Sequence, residues 1–356
     1  APIAIAIAQF LAEGKRRYGF RLVVDLYDPA LLENLELNAA RPMREREIAV
    51  RRLRRDLLLA LRTGDHFLCA SEVQRDMWIG SLTAAGRITP TAYASDPSLR
   101  ELIDVVPFGI AGEACTRTGP GMRQRFQIDD GDFVLLWGGG IWNWLDPLTL
   151  IESVADVVRT YPDTRLVFMG LERPNERVPE MAMSVKCKQL ADDLDLTGEH
   201  VFFNYGWVPY QERGDFLLDA DAGVSTHGDH LEAHFAFRTR NLDYLWAGLP
   251  IVSTSGDVFA DLLQSSGAGI AVAPNDRGAL RDAIVSVREP ERRAQMSKAS
   301  LALAERYGWA QAVRPLRTML GSGSEPVRPR APKVRWETAV WYALAAYARL
   351  RKRREP

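Results

Sequence analysis

Two arginines and an aspartate stand close together in the segment Arg238-Thr239-Arg240-Asn241-Leu242-Asp243. Guanidinium groups at this spacing suit bidentate contact with an anion such as phosphate. Helical patterning begins just after them, and the free N–H groups of a helix start favour an anion at the same place. A second candidate lies far upstream, where Gly138-Gly139-Gly140 follows the apolar run Phe133–Trp137. A glycine-rich turn after a strand lets backbone approach a phosphate, which singles out Gly139 and Gly140. No Lys or Arg occurs between Arg125 and Arg159, so this turn brings no cation of its own.

Other clusters could do other chemistry. His227, His230 and His234 are three of only five histidines, with Asp229 and Glu232 among them. Their spacing fits no standard zinc pattern, so no metal site is expected. Asp219-Ala220-Asp221 has an Asp-x-Asp form, but it sits at a helix-to-strand junction, where Asp commonly caps or turns. Asp25 and Asp28 end the first clear strand, in Val-Asp-Leu-Tyr-Asp-Pro. A carboxylate there could orient a hydroxyl or take its proton; a plain turn before Pro29 would use the same residues. Trp142 and Trp144 would flank a ligand or pack the turn, and packing is the expectation.

These residues need a scaffold. The chain has 356 residues, 47% hydrophobic and 26% charged, which suits two globular domains. A net charge of −1 gives no global field for nucleic acid, and no nucleic-acid partner is expected. Three well-separated cysteines fit reduced thiols, and no apolar run is long enough to span a bilayer, so a cytoplasmic location is expected. Short apolar runs alternate with amphipathic stretches, the signature of parallel sheets flanked by helices. Strands are expected at Arg21–Leu26, His66–Ala70 and Asp104–Val106, then at Phe133–Trp137, Arg165–Met169, His200–Tyr205, Ala222–Thr226, Pro250–Ser253 and Gly269–Val272. Arg44–Leu61 reads as a long Arg-rich helix, and Ser71 and Asp146 read as N-caps. Leu148, Ile151, Ala155 and Val158 form an apolar stripe on the helix after Asp146. The expected division is a first Rossmann-like domain over 1–109, a Gly- and Pro-rich linker over 110–130, a second domain over 131–320, and a tail over 321–356. The first series holds too few strands to match the second, so it is expected to be incomplete at its N-terminal end. Within the tail, Arg335–Arg354 reads as a basic amphipathic helix, for a membrane interface or for packing on the first domain.

The stretch Asn241–Ser253, Asn-Leu-Asp-Tyr-Leu-Trp-Ala-Gly-Leu-Pro-Ile-Val-Ser, resembles the hallmark of the retaining GT-B glycosyltransferases of group 1, the family 4-like type. Other landmarks follow in that family's order: Val105–Gly109 at its interdomain crossing, Leu135–Gly140 at its first donor-domain strand and turn, Arg165–Gly170 at its second strand, Val201–Val208, and Ala220-Asp221-Ala222. The resemblance runs from about Arg21 to Tyr307. It implies an α/β GT-B fold of two facing Rossmann-like domains, and a cleft holding a nucleotide-diphosphate sugar.

The family carries two glutamates around seven residues. The second, which binds ribose, falls on Asp243. The first, which contacts the sugar, falls on Phe235, and Glu232 is the nearest carboxylate. The resemblance also implies donor contacts by Trp207, Val208 and His230, and an acceptor-side role for Asp25 or Asp28. Relatives take an Arg and a Lys from the turn after the first donor-domain strand; with none here, Arg238 and Arg240 are expected to replace that pair. The implied reaction is sugar transfer with retention to a hydroxyl acceptor, free or lipid-linked, in cell-surface polysaccharide or glycolipid synthesis at the inner face of the membrane. No cofactor or metal is called for. Nucleotide-sugar 2-epimerisation, and a degenerate binding subunit, are the competing readings.

Overall fold

The computed structural model describes residues 8–171 and 180–321. Among the described residues nine strands form two parallel sheets. β1 (Val23–Asp25), β2 (His66–Cys69) and β3 (Ile103–Val105) make the first, in sequence order. The second contains β4 (Phe133–Trp137), β5 (Thr164–Phe168), β6 (Val201–Phe203), β7 (Ala222–Ser225), β8 (Ile251–Thr254) and β9 (Gly269–Val272). Its order, β6-β5-β4-β7-β8-β9, reverses direction between β4 and β7, as in a doubly wound sheet.

Strand β4 shows why the apolar runs fold this way. All five residues are buried. Phe133, Leu135 and Trp137 enter the core on one face of the sheet, and Val134 and Leu136 enter the core on the other. A central parallel strand is covered on both faces, so its sequence is continuously apolar. The following helix, Pro147–Val158, starts at Asp146, whose carboxylate accepts the Thr149 N–H at 3.0 Å. Its buried set is Pro147, Leu150, Ile151, Ser153, Val154, Ala155 and Val157, with Leu148 and Val158 only half-buried. The expected stripe is thus rotated and widened, because the helix packs against the helices Ala182–Asp193 and Arg277–Val287 as well as the sheet.

The two domains are stitched together at one edge. The chain leaves the first through Pro107-Phe108-Gly109 and comes back beside it: Ile110 N–H donates to Tyr307 O at 2.7 Å, and Trp309 N–H to Ile110 O at 3.3 Å. The Trp309 ring lies 2.4 Å from where a Cβ on Gly109 would sit, so only glycine fits the crossing. Beyond it the helix Arg314–Gly321 packs on β3, with Met319 buried. That helix, almost wholly within the expected span of the second domain, thus packs on the first. Residues 110–130 are likewise no free linker. Asp215 accepts the N–H groups of Thr118 and Gly119, and Met122 is buried in the second domain's core. The tail expectations over 322–356 lie outside the described residues.

Candidate active site

The domains face each other across a cleft of about 610 Å³, at the carboxyl ends of β1 and β4. In an open α/β sheet ligands bind beyond the strand ends where the strand order reverses, which here is between β4 and β7. Gly138, Gly139 and Gly140 line the cleft at that point. Gly139 has φ +85°, a conformation that side chains resist. Tyr244 pins the turn from beneath. Its hydroxyl accepts the Gly138 N–H at 2.6 Å and lies 2.9 Å from both Leu136 O and Val224 O, donating to one of them. The Tyr244 ring lies 2.4 Å from where a Cβ on Gly223 would sit, so β7 carries glycine there.

Arg240 reaches this turn from the helix Arg240–Trp246. Its guanidinium lies 4.4 Å from the centre of the Trp137 ring, and Nη2 donates to Gly140 O at 3.2 Å. Nη1 is buried and makes no hydrogen bond to the described residues. Burial lowers its pKa to about 10, so it is charged at neutral pH. A buried cationic donor without an acceptor is costly unless something fills its place. The helix itself has only seven residues, so the side chain is the main source of positive potential.

Arg238 is differently employed. Its Nη1 and Nη2 donate to the two carboxylate oxygens of Glu232 at 3.1 and 2.7 Å, and both side chains are buried. Arg238, expected to meet phosphate, thus lines the cleft with its terminal nitrogens held by Glu232, while its buried Nε makes no hydrogen bond to the described residues. Glu232 lies on the short helix Leu231–Phe235 and lines the cleft, so a carboxylate does reach the site although Phe235 occupies the position the family pattern marks.

His230 caps that helix. Its Nδ1 accepts the Ala233 N–H at 3.2 Å, which leaves Nε2 to donate to Trp144 O at 2.7 Å. Both ring nitrogens of His230 are thus engaged within the protein. The three histidines diverge. His227 is buried, its pKa pulled down to about 4 chiefly by burial, and His234 is exposed. Among the described residues no group of three or more side chains is arranged to hold a metal ion. Asp219 and Asp221 are occupied by Arg117 and Arg123 and by backbone N–H groups.

Asp243 lines the cleft one turn along from Arg240. Arg213 Nε donates to its Oδ1 at 2.9 Å, while Oδ2 accepts no hydrogen bond from the described residues. Burial raises the Asp243 pKa and Arg213 opposes the rise. Arg213 is itself fixed: its guanidinium lies 3.5 Å from the Tyr210 ring centre and 4.4 Å from that of Trp246, and Nη1 donates to Tyr210 O. Trp207 is exposed outside the cleft lining, and the Val208 side chain is in the second domain's core, leaving only its backbone for a ligand. Trp142 and Trp144 stack on each other at 4.9 Å and both line the cleft.

The first domain supplies the opposite wall. Asp28 lines it, and burial, with Asp25 and Glu232 nearby, raises its pKa to about 6. Asp25 is exposed, does not line the cleft and accepts the Tyr27 N–H at 3.1 Å, so it shapes the turn that presents Asp28. Glu33, on the helix Ala30–Leu37, also lines the cleft, with its pKa raised to about 8 by burial and by Asp28 and Glu232. Sequence reasoning missed it. The available signal was Pro29 opening a helix one turn before Glu33.

The profile of the family described as glycosyl transferases group 1 matches residues 121–302. No curated protein matches the chain in sequence. Among solved structures, HepE of Anabaena in complex with UDP-glucose is similar, with TM-score 0.65 and 17% identity over 89% of this chain and 77% of that one. Sucrose-phosphate synthase from Thermosynechococcus elongatus has TM-score 0.62 and 15% identity over 90% and 73%. A glycosyltransferase from Rickettsia africae has TM-score 0.60 and 11% identity over 90% and 83%. At these identities the likeness is one of fold, two facing Rossmann-like domains in the GT-B arrangement.

Proposed function

The chain belongs to the glycosyl transferases group 1 family and is a glycosyltransferase, and from that premise we propose that it moves a sugar from a nucleotide-diphosphate donor to a hydroxyl acceptor with retention. The observation that carries this reading is the buried, unpartnered Nη1 of Arg240 beside the Gly138–Gly140 turn. A diphosphate oxygen would satisfy it, and Arg240 then stands in for the basic pair that relatives take from the turn. HepE, the similar structure, is described in complex with UDP-glucose, which makes a uridine diphosphate sugar the first donor to test.

The remaining roles follow from the walls of the cleft. Asp243, steadied by Arg213, offers its unoccupied Oδ2 to the ribose hydroxyls. Glu232, steadied by Arg238, faces the sugar. Asp28, with its pKa near 6, is the group to orient the acceptor hydroxyl and take its proton. In the step itself the bond from the anomeric carbon to the diphosphate oxygen breaks, and the bond to the acceptor oxygen forms on the same face. The acceptor proton goes to Asp28, and the nucleoside diphosphate leaves. We place the acceptor among the hydroxylated precursors of cell-surface polysaccharide or glycolipid. A degenerate binding subunit, the reading suggested by Phe235 and by the missing basic pair, would hydrolyse no donor.

The test is turnover by the full chain across a panel of nucleotide-diphosphate sugars, measuring nucleoside diphosphate released. At least one donor should be hydrolysed or transferred, and Asp28→Asn should slow transfer by roughly a hundredfold or more. Absence of both binding and turnover across the panel would overturn the proposal.

A further inference from the structure

Two side chains of the first domain reach across to the segment that carries Glu232, Arg238 and Arg240. Gln74 stands in the first turn of the helix Glu72–Ala84 and is fully buried. Ser71 Oγ accepts its N–H at 3.1 Å, and its own Oε1 accepts the Ala70 N–H at 2.9 Å, close to the reciprocal arrangement of a capping box. With the oxygen engaged there, Nε2 is left to donate to Phe235 O at 2.8 Å. Tyr27, next to Asp28, does the same further along: its hydroxyl donates to Phe237 O at 2.8 Å. The Tyr27 ring stands edge-on to Phe108 at 4.6 Å and to Phe237 at 6.3 Å, and Phe237 packs on Phe259 at 4.7 Å.

The two carbonyls lie where their own domain does not use them. Between the helices Leu231–Phe235 and Arg240–Trp246 the backbone is irregular. Among the described residues no N–H of the second domain donates to Phe235 O or Phe237 O. A carbonyl left without a partner in a buried place is costly, so the two first-domain donors fix the path of this segment. On that path Glu232, Ala236, Phe237 and Arg240 line the cleft and Phe235 does not. We propose that Gln74 and Tyr27 are positioning residues for the transfer: from the acceptor side they hold the donor segment, so that Glu232 and Arg240 stay aimed at the donor. The proposal rests on the reading of the cleft as the transfer site. It makes donor recognition by the second domain depend on the first. It also sets Asp28, one residue from Tyr27, in register with Arg238, one residue from Phe237.

The test is hydrogen–deuterium exchange of the full chain without donor, read by mass spectrometry over the segment from Glu232 to Leu242. Gln74→Leu and Tyr27→Phe should each speed exchange there roughly tenfold, in proportion to one lost hydrogen bond. Leu82→Ala opens a cavity in the first domain's core, and should lower the melting temperature at least as much while leaving the segment as in the parent. Gln74→Glu keeps the shape and the oxygen that serves Ala70, but it donates to Phe235 O only when protonated, and burial raises its pKa. Compared with the parent at the same pH, it should match near pH 5 and exchange faster near pH 9. In turnover of UDP-glucose, or of whichever nucleotide-diphosphate sugar the parent uses, kcat/KM should fall about tenfold in Gln74→Leu and Tyr27→Phe, and Leu82→Ala should match the parent. The proposal is overturned if the segment exchanges in Gln74→Leu and Tyr27→Phe as in the parent, if Leu82→Ala speeds it equally, or if Gln74→Glu differs from the parent by the same factor at both pH values. Exchange needs no donor, so a parent that turns over no nucleotide sugar counts against the transferase reading, and the hold on the segment is still decided by exchange.

Discussion

Removing the guanidinium of Arg238 while leaving Glu232 should destabilise the second domain sharply. Glu232 is 1% exposed and Arg238 is 9% exposed, and their two hydrogen bonds take both terminal nitrogens and both carboxylate oxygens. Breaking one side of a buried pair costs about 3–5 kcal/mol, because the remaining charge is left uncompensated. For a domain of this size about 2–4 °C accompanies each kcal/mol, so Arg238→Met should lower the melting temperature by roughly 6–20 °C. Removing both charges is a different matter, since replacing a buried pair by neutral groups of similar volume is often nearly neutral. Glu232→Gln combined with Arg238→Met should therefore recover most of the loss. Calorimetry on the parent, the two single variants and the double variant closes the cycle, with an expected coupling above about 2 kcal/mol. Donor turnover should stay low in the double variant, which keeps the fold but lacks the carboxylate facing the sugar. A loss under about 1 kcal/mol for Arg238→Met, or a double variant no more stable than that single variant, would refute the claim that the pair is desolvated and mutually required.

Three further outcomes follow from the geometry. Arg213→Leu frees Asp243 to rotate, and the donor KM should rise about tenfold, in proportion to one charge-assisted hydrogen bond of about 1.5 kcal/mol, with kcat nearly unchanged; a fall in kcat alone would contradict the positioning role. Tyr244→Phe removes the hydroxyl that serves Gly138 N–H, and unfolding free energy should drop by about 1–3 kcal/mol in urea titration, an effect under about 0.5 kcal/mol being the contrary result. Burial raises the pKa values of Asp28 to about 6 and Glu33 to about 8, above their unfolded values. Such groups are protonated and compatible with the fold at low pH, and the fold loses stability as pH rises through the raised values. Glu33→Gln should thus match the parent near pH 4 and melt higher near pH 9; the reverse order would show that the Glu33 environment favours its charge.

What could be read from the sequence was whatever depends on nearby residues. The run Phe133–Trp137 is apolar throughout because both its faces are covered, and that pattern located β4 to the residue. Asp146 and Ser71 were legible as caps because capping acts over three residues. Gly139, Gly140, Arg240 and Asp243, which the sequence marked, are also brought to one cleft by the fold. The parts that stayed hidden depend on distant partners. Arg213 is thirty residues from Asp243 and joins it only through packing between Tyr210 and Trp246. Arg238 and Arg240 look equivalent in sequence, yet one faces Glu232 and the other the glycine turn. The helix Ala182–Asp193 was not anticipated, since only Ser184, Cys187 and Ala191 are buried and its apolar signal is weak. The return of the chain to the first domain after Gly308 is a matter of tertiary contact, which periodicity does not report.

The central claim is that a nucleotide diphosphate binds in the cleft with its phosphates on Arg240. It is tested most directly by calorimetric titration of the parent and of Arg240→Ala with a nucleoside diphosphate and with the matching nucleoside. The account predicts that the variant binds the diphosphate roughly ten- to hundredfold more weakly, from about 1.5–3 kcal/mol for hydrogen bonds to a charged group, and binds the nucleoside as the parent does. Equal losses for the two ligands, or no loss for either, would contradict it.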